Sequence, residues 1–295
     1  MKKTLAVLLL VMFVLLSACS MPLIVAYPTA TPIPSLTPVP LTLTSTATAT
    51  ATITPTPLPP TLTPTPTWAF QPAGEVICPI LLYHQISDAG TLYYVSPSDF
   101  QAQMDALRDW NYTAIPISLL VKAIMEGASL PPRPVVITFD DGNENVYMNA
   151  FPIMHDLGFP GVTYIVSSYL DAKDHLTTAE VLEMVAAGWE VGDHSMTHLN
   201  LMDNPAETWT QAEQSRKDLQ AALNVPVDTF AYPFGAADAH IMGKISEYGY
   251  TAAVGLVGGD VQGPDNLFYL SRIEVPYGAT LDDFAALLPW SGSIP

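Results

Sequence analysis

Two polar clusters in this sequence have the residue types and the spacing for metal-assisted hydrolysis. The first, Asp140-Asp141-Gly142, follows the apolar run from Val135 to Phe139. Successive side chains on a strand point to opposite faces, so both carboxylates reach one site only if the chain turns, and Gly142 permits that turn. Such a pair suits one metal ligand and one general base, because a nearby cation keeps both groups ionised. The alternative is an ordinary Asp-Asp-Gly surface turn.

The second cluster contains His194 and His198, which follow the apolar run from Trp189 to Gly192. A separation of four residues puts both imidazoles on one face if the segment forms a helical turn. That spacing suits two nitrogen ligands on zinc, and the alternative is a pair of polar residues at a helix start. With one aspartate they make three protein ligands, the number found in catalytic zinc sites. The metal of such a site lowers the pKa of its water to about 7, and a spare carboxylate takes the proton.

The elements that position these clusters are predicted from seven apolar runs and from the helical patterns between them. Strands that alternate with helices predict an α/β fold with a mostly parallel sheet, here a barrel or a barrel-like sheet. Its chemistry would gather at the C-terminal ends of the strands. The predicted strands are Val76 to Tyr83, Val135 to Phe139, Val162 to Val166, Trp189 to Gly192, Thr229 to Tyr232, Thr251 to Val254 and Leu270 to Val275. The predicted helices are Ser98 to Trp110, Thr178 to Ala187, with Val181, Leu182 and Val185 on one face, Glu207 to Leu223 and Ala239 to Tyr248.

Four motifs in order resemble those of the polysaccharide deacetylase family, also called carbohydrate esterase family four. The resemblance covers roughly residues 76 to 290 and implies a distorted (β/α) barrel with about seven strands. It also implies removal of acetyl groups from N-acetylglucosamine polymers, peptidoglycan, chitin or xylan. The motifs are Pro79-Ile80-Leu81-Leu82-Tyr83-His84, Thr138-Phe139-Asp140-Asp141-Gly142, His194-Ser195-x-x-His198 and Tyr232-Pro233-Phe234-Gly235.

The resemblance assigns roles position by position. It implies that Asp140 is the catalytic base, and that Asp141, His194 and His198 bind one divalent metal ion. Mixed nitrogen and oxygen ligands favour zinc, although cobalt, nickel or manganese would also suit them. It further implies that the Phe234 N–H is an oxyanion donor. Tyr232, Pro233 and Gly235 would then line the substrate site beside it.

The sequence departs from the family pattern in two places. Many members carry an arginine in the third motif that orients the base, whereas this chain has Phe230-Ala231 there, and Arg272 is the substitute that we expect. Many also carry a late histidine as general acid, but no histidine follows His240. His84 is the expected replacement, as in the subgroup that includes poly-N-acetylglucosamine deacetylases. We also expect Arg272 to be among the substrate-binding residues, and Asp193 either to orient a ligand or to be a simple strand end.

These features predict a metal-dependent hydrolase that removes N-acetyl groups from an extracellular or cell-wall polysaccharide. The same site would serve an esterase that acts on O-acetylated sugars, whose leaving alcohol needs less help from an acid. A third alternative is a glycan-binding protein that has lost turnover, motivated by the absent arginine and histidine. The intact carboxylates and histidines argue against it, because a binding module needs no base beside a metal.

The N-terminus has the layout of an export signal. Two lysines precede an apolar run that ends in Leu16-Ser17-Ala18-Cys19, which resembles a bacterial lipobox and implies lipid on Cys19. We therefore expect residues 1–18 to be a signal peptide and residues 19–27 a lipidated anchor region. The protein would be held at the outer face of the bacterial membrane. A simple signal peptide and an uncleaved anchor are the alternatives.

Residues 28–67 contain 11 prolines and 15 threonines, which predict a disordered, extended linker, because proline fixes φ and lacks an N–H donor. Residues 68–295 are then the catalytic domain. All 28 acidic residues and eight of the ten basic ones lie from Glu75 onward. Such acidity excludes nucleic acid as a partner, since phosphates require Lys and Arg. The expected partners are a polysaccharide and, through the lipid, a membrane. The sequence carries no signal for an oligomeric state, and Cys78 is expected to be a buried apolar side chain.

Overall fold

The computed structural model describes residues 67–90 and 92–292. The predicted signal peptide, the anchor region with Cys19 and nearly all of the predicted linker lie outside these residues. The strands of the described part are β1 (Ala69–Gln71), β2 (Val76–Ile77), β3 (Ile80–Tyr83), β4 (Gln85–Ile86), β5 (Tyr94–Val95), β6 (Thr113–Ala114), β7 (Ala128–Leu130), β8 (Pro134–Phe139), β9 (Val162–Ile165), β10 (Glu190–Asp193), β11 (Thr229–Ala231), β12 (Ala252–Val254), β13 (Val261–Gln262) and β14 (Ile273–Glu274).

A parallel sheet organises the domain. Seven of the described strands run in the order β12-β11-β10-β9-β8-β3-β14, and β6 pairs with the first residues of β8. Beyond β12 the chain returns through Leu270, which forms a parallel bridge with Val254 before β14 begins. The result is a distorted barrel of about seven strands, as the sequence predicts. Its short strands and incomplete closure depart from the eight regular strands of a (β/α)₈ barrel.

The register brings the strand ends to one edge. Tyr83 of β3 pairs with Phe139 of β8, and Asp193 of β10 pairs with Ile165 of β9. Asp193 also pairs with Phe230 of β11. The residues that follow these strands therefore emerge side by side at the C-terminal edge of the sheet, where α/β folds place their chemistry.

Alternating side chains of the strands build two layers of core. On β8, Val136 packs inside the barrel, whereas Val135, Ile137 and Phe139 pack against the outer helices. This two-sided burial explains why the predicted strands are continuous apolar runs, as is typical of parallel sheets that are covered on both faces. Cys78 is buried in the inner layer, as predicted, and burial raises the pKa of its thiol.

Helices cover the outside and one end of the barrel. The α-helices of the described part are α1 (Pro97–Asp109), α2 (Ile117–Glu126), α3 (Phe151–Asp156), α4 (Thr178–Ala186), α5 (Ser215–Leu223), α6 (Ala239–Glu247) and α7 (Leu281–Ala286). Two π-helical turns, Val146–Ala150 and Trp209–Gln214, lead directly into α3 and α5. None of the helices among the described residues has the length and apolar character needed to cross a bilayer.

Several local predictions needed correction. The run from Val76 to Tyr83 is two strands, β2 and β3, because Pro79 interrupts it. Leu182 was placed on the buried face of α4, but it is exposed, and Met184 takes its place beside Val181. The capping box of Thr177 and Glu180 fixes where α4 begins. Helices α2, α3 and α7 were not predicted.

Candidate active site

Three ligand-type side chains meet where β8 and β10 end. The Asp141 Oδ1 lies 3.6 Å from the His194 Nε2 and 3.5 Å from the His198 Nε2. The three ligand atoms all lie within 4.8 Å of one another. Bonds of about 2.0–2.1 Å to a tetrahedral zinc ion place ligand atoms about 3.3 Å apart. The separations from Asp141 therefore fit one shared divalent ion.

The hydrogen bonding of His194 presents a lone pair to this cluster. Its ring is buried, and its Nδ1 lies 2.8 Å from the Ala231 carbonyl oxygen, which can only accept. The Nδ1 is therefore the protonated nitrogen, and Nε2 faces Asp141 with its lone pair free. Metal-binding histidines are held in the same way by a carbonyl or a carboxylate. The donor set thus fits a metal ion by its chemistry as well as by its spacing.

The two histidines converge through a loop rather than through the helical turn that was predicted. Residues 194–198, called here the histidine loop, contain no helix, and Ser195 and His198 have φ of 70° and 57°. These left-handed residues fold the segment back, and the His198 N–H donates to the Ser195 Oγ at 2.9 Å. Spacing alone indicated the pairing but not the backbone that produces it.

The turn predicted after β8 is present and uses two residues. Asp141 and Gly142 both have φ of 72°, so the chain leaves the strand direction directly after Asp140. Glycine adopts this conformation without strain, whereas for Asp141 it is uncommon. The turn leaves Asp140 buried and directs Asp141 towards the histidines.

Asp140 is held by Arg272 through two parallel hydrogen bonds. The Arg272 Nη1 and Nη2 donate to the Asp140 Oδ1 and Oδ2, each at 2.7 Å, and both side chains are almost fully buried. Burial by itself raises the pKa of Asp140. The charge of Arg272, together with the hydrogen bonds from its guanidinium, opposes burial, and the pKa is lowered to about 2. Asp140 is therefore ionised, and its Oδ2 lies 3.7 Å from the His194 Nε2.

The placement of Arg272 corrects one of its two predicted roles. Only 1% of the residue is exposed, and its remaining Nε donates to the Gly255 carbonyl at 3.0 Å. Its guanidinium also lies over the Tyr164 ring, 5.6 Å from the ring centroid, which is within cation–π distance. Arg272 is therefore not placed to bind substrate. Its contact with Asp140 is the one expected of a substitute for the arginine that many family members carry in the third motif.

The Tyr232–Gly235 loop contributes one exposed residue to the site. Phe234 is 62% exposed, has a left-handed backbone with φ of 60°, and packs its ring 4.6 Å from the His198 ring. Its N–H has no acceptor among residues 67–90 and 92–292, so it is free to donate to a ligand. Tyr232, predicted to line the substrate site, is instead buried. Its hydroxyl donates to the Phe268 carbonyl at 2.9 Å, and Pro233 is buried beside it.

His84 lies at the end of β3, on the opposite side of Asp140 from the Phe234 loop. Its Nδ1 is 4.0 Å from the Glu274 Oε1, and its ring lies 5.0 Å from the ring of Tyr93. A proton on His84 would lower the pKa of the Asp140 carboxyl, so the two groups interact electrostatically. His84 is thus part of the same electrostatic site, and its general-acid role stays a prediction.

The comparisons with known proteins agree with this geometry. Residues 127–253 match the family model described as polysaccharide deacetylase. The chain therefore contains a polysaccharide deacetylase domain, as its sequence motifs predict. A relative from Staphylococcus aureus, named poly-beta-1,6-N-acetyl-D-glucosamine N-deacetylase, is 26% identical over 198 residues, which are 62% of this chain and 68% of the relative.

Solved structures of polysaccharide deacetylases share the architecture. A polysaccharide deacetylase from Bacillus cereus has 28% sequence identity and a TM-score of 0.65, covering 72% of this chain and 69% of that one. The Streptococcus pyogenes deacetylase PplD has 22% identity and a TM-score of 0.66, covering 76% of this chain and 99% of that one. At that identity, the second structure supports the fold alone.

Sequence reasoning missed Asn143 and left the role of Asp193 open, and both groups support this deacetylase site. Asn143 is buried, and its Nδ2 donates to the His84 carbonyl at 3.3 Å, which ties the ends of β3 and β8 together. Asp193 was assigned no definite role, but it is fully buried and accepts from the Ser215 Oγ at 2.7 Å and from the Tyr250 hydroxyl. Burial raises the pKa of Asp193 to about 7. The only available signal was its place directly before His194.

Proposed function

We propose that this protein is a metal-dependent hydrolase that removes N-acetyl groups from an extracellular or cell-wall polysaccharide containing N-acetylglucosamine. One observation carries the proposal: an ionised, arginine-held carboxylate, Asp140, directly beside the three ligand-type side chains of Asp141, His194 and His198. A carboxylate base next to a metal site is an arrangement that catalyses hydrolysis of an acetamide. The name of the Staphylococcus aureus relative supports the substrate class.

The chain's own residues supply the proton transfers of this reaction. Asp140 accepts a proton from the attacking water, and Arg272 keeps the carboxylate oriented. As the carbonyl carbon becomes tetrahedral, the free N–H of Phe234 donates to the developing oxyanion. When the carbon–nitrogen bond breaks, the amine needs a proton, and His84 is the group that we assign to give it. The products are acetate and a free amine on the sugar.

A divalent ion held by Asp141, His194 and His198 would polarise the acetamide carbonyl and lower the pKa of the attacking water. Two imidazoles and one carboxylate favour zinc, and cobalt, nickel or manganese would be accepted by the same ligands. The glycan-binding alternative without turnover is weaker than the sequence suggested. One of its two motivations was a missing arginine, and Arg272 contacts the base from another strand.

We further propose that the protein is exported and anchored to the outer face of the bacterial membrane by lipid on Cys19. The support is the Leu16-Ser17-Ala18-Cys19 motif after an apolar run, followed by a proline- and threonine-rich segment. Such a segment would act as an extended spacer between the membrane and the domain. In this location the enzyme would meet cell-wall or extracellular glycans.

The test is acetate release from N-acetylglucosamine oligomers by the full chain, first after chelation and then with zinc or cobalt restored. We expect metal-restored release that Asp140→Asn lowers by about 10²–10⁴-fold, because it removes the general base. Asp156→Asn makes the same chemical change at an exposed position and should leave the rate unchanged. No release with any metal would contradict the proposal. Release that leaves a free hydroxyl, rather than a free amine, would indicate the O-acetyl esterase instead.

A further inference from the structure

The backbone of the histidine loop depends on groups outside it. The His194 N–H donates to the Ile165 carbonyl at 2.9 Å, and the Ser195 N–H lies against the Asp193 carboxylate, whose pKa it lowers. The His198 N–H donates to the Ser195 Oγ. Three of the five N–H groups are therefore satisfied by the neighbouring strands or by the loop itself. The N–H groups of Met196 and Thr197 remain. Because a buried backbone N–H needs an acceptor, the acceptors of these two groups show what holds the middle of the loop in place.

Gln211 supplies both of the remaining acceptors. Its backbone carbonyl accepts from the Met196 N–H at 2.9 Å, and its side-chain Oε1 accepts from the Thr197 N–H at 2.9 Å. Its Nε2 donates to the Thr197 Oγ1, also at 2.9 Å. Gln211 is 5% exposed, so water does not compete for these bonds. One buried residue thus fixes Met196 and Thr197, two of the three positions between His194 and His198.

The π-helical turn Trp209–Gln214 brings Gln211 to the loop. In a regular α-helix, the Ser215 N–H would bond to the Gln211 carbonyl. Here the Ser215 N–H donates to the Ala212 carbonyl, and the Gln211 carbonyl points to Met196. The turn leads into α5, and the first residue of α5, Ser215, also donates to the Asp193 carboxylate. Single π-helical turns inside helices are frequent at functional sites, and this one directs the Gln211 carbonyl to the histidine loop.

We propose that Gln211 is a positioning residue for the metal site, acting through the histidine loop to hold His198 at ligand distance from Asp141. This inference rests on the proposed metal site. The backbone bonds of the loop to Ile165, Ser167, Ser168 and Gln211 end at Met196. Thr197 and the left-handed His198 are therefore held by side-chain acceptors, the Gln211 Oε1 and the Ser195 Oγ. The hydrogen bonds that Gln211 makes to the loop go to Met196 and Thr197 rather than to a ligand side chain or to Phe234. Its effect should therefore appear in metal affinity before it appears in substrate binding.

The experiment measures the zinc dissociation constant of the full chain by competition with a chromophoric chelator, together with kcat and KM for acetate release. Gln211→Met keeps the side-chain volume and removes both polar atoms. We expect zinc affinity to fall by about 10–100-fold, the loss typical of removing a group that orients a metal ligand, with little change in KM at saturating zinc. Gln214→Met is the matched control, since Gln214 lies in the same turn and bonds to the Asp218 carboxylate on the helix surface.

Two further measurements separate positioning from stability. Thermal unfolding of each variant shows whether the fold is kept at the temperature of the zinc titration. If Gln211→Met does not fold, Gln211→Ala makes the same comparison, because its smaller side chain leaves room for water at the Thr197 N–H. A folded variant with wild-type zinc affinity and only a lower melting temperature would overturn the inference alone. A wild-type chain that binds no divalent metal would overturn the proposed metal site and the inference together. Zinc binding without acetate release would refute the proposed activity and leave the Gln211 comparison valid.

Discussion

Replacing Arg272 by methionine should separate the stability of this domain from its activity. The change removes two hydrogen bonds of 2.7 Å to the Asp140 carboxylate and leaves that charge buried. Hydrogen bonds to charged groups contribute about 1.5–3 kcal/mol each, and breaking a buried ion pair by removing one partner costs about 3–5 kcal/mol. We therefore expect the free energy of unfolding to fall by about 3–5 kcal/mol, a large part of the roughly 5–15 kcal/mol of a typical domain.

The assay is urea unfolding followed by circular dichroism, with acetate release measured on the same preparations. Arg133→Met is the matched control, because Arg133 donates to the carbonyls of Trp110 and Gly292 and pairs with no carboxylate in the described chain. It should lose less stability and keep its activity. The double variant Asp140→Leu with Arg272→Met removes both charges. Apolar replacements of a buried ion pair are often neutral or stabilising, so its stability should recover to within about 1 kcal/mol of wild type while no acetate is released.

Two outcomes would contradict the proposed dependence of Asp140 on Arg272. If Arg272→Met lost less than about 1 kcal/mol, the buried carboxylate would not depend on its partner in the way that the geometry requires. The second outcome is a double variant that is less stable than Arg272→Met. It would mean that packing around the guanidinium, rather than charge compensation, determines the loss.

Three other changes test separate parts of the account. Gly235→Ala should lower the free energy of unfolding, measured by urea titration, by about 1–3 kcal/mol, because φ is 63° and a Cβ would lie 2.6 Å from the Leu256 Cγ. Gly258→Ala is the control, because no atom lies within 4 Å of a Cβ there, and its free energy of unfolding should hardly change. Equal losses in the two variants would contradict the steric explanation. His84→Gln should slow acetate release from N-acetyl sugars by about 10²-fold or more but affect 4-nitrophenyl acetate much less, since that leaving group needs no proton; equal slowing would remove His84 as the acid. Cys19→Ala should move the protein from the membrane fraction to the soluble exported fraction on immunoblots, and unchanged membrane association would favour an uncleaved anchor.

The strands and the ligand set could be predicted from the sequence because both depend on local patterns. A run such as Val135 to Phe139 is apolar throughout because it is buried on both faces, and the polar residues after it mark its end. The two aspartates and His194 follow such ends, His198 lies four residues further on, and parallel strands bring their ends to one edge. Order and spacing therefore predicted the fold class and the candidate ligands, and the family resemblance assigned Asp141 to the metal and Asp140 to the base.

The helices that were missed lacked comparable local signals. Helix α2 packs largely apolar side chains against the end of the barrel, so its apolar stretch did not have the polar face of a surface helix. Leu182 and Met184 are both apolar and differ by two positions, and the choice of which one is buried depended on how α4 rests on the sheet. Tyr232 follows a strand just as His194 does, yet its hydroxyl is bonded within the core.

The sequence by itself determined which residues are available as metal ligands and base, because residue type and position at a strand end are local properties. The tertiary structure alone decided how they are held. Arg272 bonds to Asp140, 132 positions away in the sequence, and Gln211 bonds to Thr197, 14 positions away. The second contact uses a π-helical turn that the periodicity of the sequence does not predict. Asp141, Ser195 and His198 have left-handed backbones, a conformation that is uncommon for residues other than glycine. Only contacts with the surrounding structure can maintain it. Such contacts exist only once the sheet has formed.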